Sequence, residues 1–115
     1  MFEKNLRFIL LFDIYGELLT ETQRTMFHFY YNEDLSLAEI AENMGMTRQG
    51  VRDSIKRSEE TLLVLEEKLG LADKFGQMEK AITGAEHILN KLKAKYPADA
   101  IQFDRITDLL GSVKL

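Results

Sequence analysis

The chain contains no cysteine, no tryptophan and a single proline, Pro97. Without thiols there is no disulfide framework, no cysteine metal site and no thiol nucleophile, and the composition suits a reducing compartment. Histidine is nearly as scarce, since His28 and His87 are the whole complement and neither has a partner at metal-ligand spacing. No apolar run approaches the roughly 18 residues that a membrane span needs, and the N-terminal FILLF segment lacks a small-residue cleavage site. A phosphate loop is also missing, because ENMGMTRQG has neither the Walker spacing nor its Gly-Lys-Ser/Thr ending. Glu59 with Glu60, and Glu66 with Glu67, occupy adjacent helical positions that point apart, so they read as solvated surface rather than acid/base pairs. These absences argue against an enzyme, a metal or a cofactor. They lead to the expectation of a cytoplasmic chain with no membrane contact.

What remains is helical patterning. At 115 residues a single all-α domain over residues 1–115 is expected. The net charge of −4 is unusual for a nucleic-acid binder, because neutralised phosphates normally supply much of the affinity. The charge is unevenly spread: residues 48–57 carry +3 and residues 17–42 carry −5.

The basic segment lies within Ser36–Arg57, SLAEIAENMGMTRQGVRDSIKR. Ser36 with Glu39 forms a capping-box pattern, Gly45 stands where a helix must end with positive φ, and Thr47 precedes a second apolar-periodic run. Leu37, Ile40, Ala41 and Met44 share one face of a helix over about 37–43, and Val51 and Ile55 share one on a helix opening at Arg48. Two helices meeting through a short glycine turn make a helix-turn-helix. The second presents Arg48, Gln49, Arg52, Lys56 and Arg57, with Asp53 as its one acid. Arginine and glutamine can make paired hydrogen bonds to base edges in the major groove, and the early positions of a recognition helix are the ones that reach them. Exposed helices also carry basic residues simply as solvated surface, so the charge alone does not decide between the two readings.

Upstream, Phe8, Leu11, Phe12, Tyr15 and Leu19 mark a helical face, widened by Leu6, Ile9, Leu10, Ile14 and Leu18 enough to need cover on more than one side, with Gly16 as its break. Thr20 and Gln23 cap a helix over 21–31 whose aromatics fill a trihelical core, so the helix-turn-helix unit spans 20–57. Beyond it, in an extension over 58–115, Val51, Ile55, Ser58, Leu62, Leu65 and Leu69 continue the second helix as a rod to Gly70. After a break over 70–73, Phe75, Met78, Ile82, Ala85, Leu89, Leu92 and Tyr96 form a second rod that Pro97 stops. The rods should fold back as an antiparallel hairpin, with Gly84 and Ala85 permitting close approach. Asp99 is placed to cap a last helix bearing Ile101, Phe103, Ile106, Leu109 and Leu110. The apolar surface of the first, long and last helices needs cover either from within the chain or from a second copy, in a homodimer formed through the N-terminal and C-terminal helices.

The run LLTETQRTMFHFYYNEDLSLAEIAENMGMTRQGVRDSIKR resembles the DNA-binding region four of bacterial sigma factors. With LLFDIYGELLT before it, it is more closely similar to the YlxM family of small bacterial helix-turn-helix proteins, over roughly residues 6–69. The resemblance implies double-stranded DNA as a partner and a regulatory role, with recognition positions at Arg48, Gln49, Arg52, Asp53 and Lys56 and a supporting helix over Ser36–Met44. It also implies a link to the signal recognition particle pathway, drawn in the family from gene neighbourhood. Components of that particle are therefore alternative partners. Gly50 departs from the pattern, since alanine would be the better helix former by about 1 kcal/mol.

Overall fold

In a computed structural model, residues 5–113 are described. They form six α-helices and no strand: α1 (Leu6–Tyr15), α2 (Glu21–Tyr31), α3 (Leu37–Met44), α4 (Arg48–Leu69), α5 (Leu71–Lys95) and α6 (Ala100–Gly111). Short 3-10 turns at Gly16–Leu18 and Pro97–Asp99 join α1 to α2 and α5 to α6. The fold is all-α, as the patterning predicts. The chain divides into two compact units, Met1–Ala72 and Asp73–Leu115.

The first unit is built on α4, against which α1, α2 and α3 all pack. Its buried line is Val51, Ser54, Ile55, Ser58, Leu62 and Glu66, with Val51, Ile55, Ser58 and Leu62 wholly excluded from solvent. Residues 58–69 thus belong with the helix-turn-helix core, and the break in packing falls after Ala72 rather than at residue 58. The α2 aromatics are core, as expected: Phe27 stacks on Phe12 (4.8 Å) and on Tyr31 (4.5 Å), and Tyr30 meets Tyr31 edge-on. On α1, Leu11 and Tyr15 are buried and Leu19 follows them; of the residues that widen this face, Ile9 and Ile14 are half-buried against the core, while Leu6, Leu10 and Leu18 are exposed.

The helix ends follow the capping chemistry. Thr20 with Gln23 and Ser36 with Glu39 form reciprocal capping boxes. Gly45 takes φ +64°, and the Met46 amide reaches back to the Ala41 carbonyl (2.9 Å), closing α3 in a Schellman turn. Gly70 ends α4 in the same left-handed conformation at φ +62°.

Two expectations fail around Gly70. Continuing the heptad rod puts Leu65 and Leu69 in the seam, yet Leu65 is half-buried, Leu69 is exposed and Glu66 is buried. Glu66 is therefore no solvated surface glutamate, unlike Glu67. Its Oε1 accepts the Tyr15 hydroxyl (2.6 Å) and the Ala72 amide (2.9 Å), while the Tyr15 oxygen accepts the Leu71 amide (3.0 Å). Leu71 and Ala72 open α5, and glycine at position 70 has no side chain to cap them, so a phenol and a carboxylate from α1 and α4 satisfy these first-turn amides instead. That is why the break expected over 70–73 shrinks to Gly70 alone.

In the second unit, α5 and α6 are linked by an ion pair between Lys93 Nζ and Asp104 Oδ1 (2.6 Å). Pro97 stops α5 as predicted, but Asp99 makes no side-chain cap to α6, whose first turn follows the 3-10 turn directly. Ile82 and Leu89 are the buried residues of α5, and α6 has none. The antiparallel hairpin expected between α4 and α5 is divided between the units, with α4 in the first and most of α5 in the second.

Two consequences can be measured. Glu66→Leu strands the Tyr15 hydroxyl and the Ala72 amide and should cost about 1–3 kcal/mol in urea unfolding, whereas Glu67→Ala should stay within about 0.5 kcal/mol of the parent. Burial foremost raises the ionisation of Tyr15, Tyr30 and Tyr31 above the ordinary 10, with Glu66 adding to it at Tyr15 and Glu59 at Tyr31. Each phenol keeps its proton in the folded chain at a pH where the unfolded chain has lost it. Their contribution to stability is therefore complete below pH 10 and falls as pH rises beyond it. Alkaline titration should show tyrosinate absorbance from these phenols appearing together with loss of helical circular dichroism. Full ionisation with the helices intact would contradict this.

Candidate nucleic-acid interface

The candidate surface is set by how α3 and α4 are started and anchored. Thr47 Oγ1 accepts the Gly50 amide (3.0 Å), fixing where α4 begins, and Val51, Ser54 and Ile55 are buried beneath its first turns. With those positions inward, the helical period turns Arg48, Gln49, Arg52, Asp53, Lys56 and Arg57 outward, and all six are exposed. Gly50 gains a local reason: a Cβ there would stand 3.1 Å from Thr47 Oγ1, the atom that caps the helix.

The six residues do not form one uniform patch. Arg48, Gln49 and Arg52 line an open cleft with Ser36, Leu37 and Ala38 at the start of α3. Lys56 lies one turn beyond Arg52 on the same side. Arg57, nine residues from Arg48, points about 180° around the helix from it and flanks the opposite edge. Asp53 holds Gln49 through a hydrogen bond from Nε2 to Oδ1 (3.0 Å), so the one acid of the segment orients a neighbouring amide.

Sequence reasoning did not identify the contribution of α3 to this cleft. The capping box marks where α3 starts, but only folding brings that start beside the arginines. First-turn amides lack intrahelical acceptors, and the helix dipole favours negative charge there. Within the capping box the Glu39 carboxylate accepts the Ser36 amide (3.0 Å), and this bond foremost lowers its ionisation below the ordinary carboxylate value. The start of α3 together with Arg48 and Arg52 is chemically suited to an anion.

The first turn of α4 holds Arg48 and no acid, so this cation stands at the positive end of the helix dipole, which disfavours it by roughly 0.3–1 kcal/mol at low salt. An anionic ligand there would offset that cost. At the other end the last turn carries Lys68 beside Glu67. Glu59 is half-buried rather than solvated, accepts the Tyr31 hydroxyl, and has its ionisation raised, chiefly by burial.

His28 is exposed at the end of α2, beside Asn32 and 3.5 Å from Glu33. Among the described residues no cluster of three His, Cys, Asp or Glu could hold a metal, and no helix is long and apolar enough to cross a membrane.

Comparison with known proteins agrees with the geometry. Residues 2–108 match the model of the UPF0122 family, described as "Putative helix-turn-helix protein, YlxM / p13 like". The match extends well past the segment over 6–69 on which the sequence resemblance rests. A UPF0122 protein of Listeria monocytogenes is 52% identical over 91 residues, covering 79% of this chain and 83% of its own. One from Desulforamulus reducens is 52% identical over 81 residues, 70% of this chain and 69% of its own, and one from Clostridium kluyveri 42% over 99 residues, 86% and 89%. A helix-turn-helix core, an open cationic start to its second helix and a family match over nearly the whole chain lead to one assignment: this protein belongs to the UPF0122 family of YlxM-like helix-turn-helix proteins.

Proposed function

We propose that the chain binds double-stranded DNA through the N-terminal half of α4 and acts in transcriptional regulation. In this reading Arg48, Gln49 and Arg52 face base edges, with Asp53 orienting Gln49. Lys56 and Arg57 face phosphates from the two sides of the helix, and the first turn of α3 receives a backbone phosphate. One observation carries it: α4 is buried on its apolar line while every candidate side chain stays exposed, with a cation, Arg48, at the dipole end that disfavours it.

A second reading draws on the net charge of −4. Here the same fold serves the signal recognition particle pathway by docking an RNA or protein component, and DNA is not its target. Binding to a DNA duplex that weakens as salt is added supports the first reading, because each phosphate pair formed releases counterions. The second requires capture of the particle's RNA or protein without DNA binding.

Selection of bound fragments from genomic DNA at two salt concentrations should return an enriched sequence under the first reading. Arg48→Ala should then cost about 1–3 kcal/mol on that sequence and relax its preference. Lys56→Ala should weaken all sequences alike and lower the slope of log K against log salt by about 1. Equal losses on every sequence for both variants would refute base readout. Undetectable DNA binding, with capture of the particle's RNA or GTPase, would favour the second reading.

A further inference from the structure

The helical period decides which side chains of α4 stand furthest from the core. Val51, Ser54, Ile55, Ser58 and Leu62 are buried on one side. The direction opposite their mean passes between Gln49 and Asp53, each within about 25° of it. Arg48 and Arg52 stand toward the α3 side of this outer line and Arg57 toward the other. Glu60, also exposed, lies on the line two turns beyond Asp53. When a helix enters the major groove, its outermost line comes nearest the base edges.

On that line Gln49 and Asp53 present themselves as one group. Gln49 Nε2 donates to Asp53 Oδ1 (3.0 Å), which uses one N–H and one carboxylate oxygen and fixes which way the amide points. One donor is left, the second Gln49 N–H, against two acceptor atoms, Gln49 Oε1 and Asp53 Oδ2. The pair is rich in acceptors. In the major groove the donating edges are adenine N6 and cytosine N4, whereas guanine O6 and thymine O4 only accept. A carboxylate oxygen set against O6 or O4 has no proton to share. Asp53 is also the one acid of residues 48–57, and its charge weakens attraction to the phosphates of every sequence alike.

We infer that Asp53 is a specificity-determining residue. With Gln49 it accepts a hydrogen bond from the exocyclic amino group of adenine or cytosine, and it excludes guanine and thymine from that place on the same strand. The inference rests on duplex binding by α4, as proposed above. Asp53 sharpens discrimination and lowers overall affinity.

Selection from a library of duplexes with a randomised centre, run in parallel on full-length chains, tests this. The parent should enrich adenine and cytosine over guanine and thymine about tenfold at one position of one strand. Asp53→Ala should bring that ratio within about twofold while binding the unselected library more tightly. Asp53→Lys should turn the preference to guanine, whose O6 and N7 accept from an ammonium. Glu60→Ala removes a negative charge from the same outer line without touching the Gln49 pair, so it should tighten binding and leave the preference in place. Binding with no such preference, a preference unchanged in Asp53→Ala, or its equal loss in Glu60→Ala would overturn the inference and leave DNA binding standing. Failure of every chain to bind any duplex would remove the reading beneath it as well.

Discussion

Burial of one line of α4 against three other helices is the constraint on which the rest of the first unit depends. Val51, Ile55 and Leu62 are sealed from solvent, and the 3.6-residue period then leaves no freedom in where the remaining side chains of that helix point. The outward direction of Arg48, Gln49, Arg52 and Lys56 follows from what is inward. A single set of apolar contacts therefore holds the core together and fixes the orientation of the cationic face. Phe27, stacked between Phe12 and Tyr31, supports the same helix from the α2 side.

The polar interactions divide into two kinds with different weight. Capping boxes at Thr20 and Ser36 and the Thr47 cap are exposed and local, each worth about 1 kcal/mol, and they chiefly decide where helices begin. The Tyr15–Glu66 pair is buried and long-range, joining α1 to α4 while supplying the acceptors for the first amides of α5. No buried side-chain nitrogen or oxygen among the described residues is left without a partner, which is the condition for a carboxylate to be tolerated there.

What could be read in the sequence was whatever depends on neighbours along the chain. The two capping boxes, the left-handed glycine at 45, the start of the second motif helix at Arg48 and the stop at Pro97 are local chemistry, and each lies where the residues place it. Glu66 was illegible, because its heptad neighbours favour leucine in the seam and only Tyr15, fifty-one residues away, gives a buried carboxylate its partner. Asp99 carried the right residue type for a cap, but the 3-10 turn ahead of α6 leaves its side chain without that bond. For the candidate surface, spacing predicts that all six residues face outward, and all six are exposed. Their grouping could not be read that way: that Arg48 and Arg52 share a cleft with the start of α3 while Arg57 flanks the far edge depends on the packing of two helices.

The chain is a helix-turn-helix protein of the UPF0122 family, and the proposed partner, duplex DNA, would meet it at the exposed N-terminal half of α4. The most direct measurement is a titration of the isotopically labelled chain with a DNA duplex at low salt, followed by amide chemical shifts. The account predicts perturbations concentrated at residues 36–38 and 48–56 that fade as salt is added. Shifts confined to other surfaces, or none at all at low ionic strength, would contradict it.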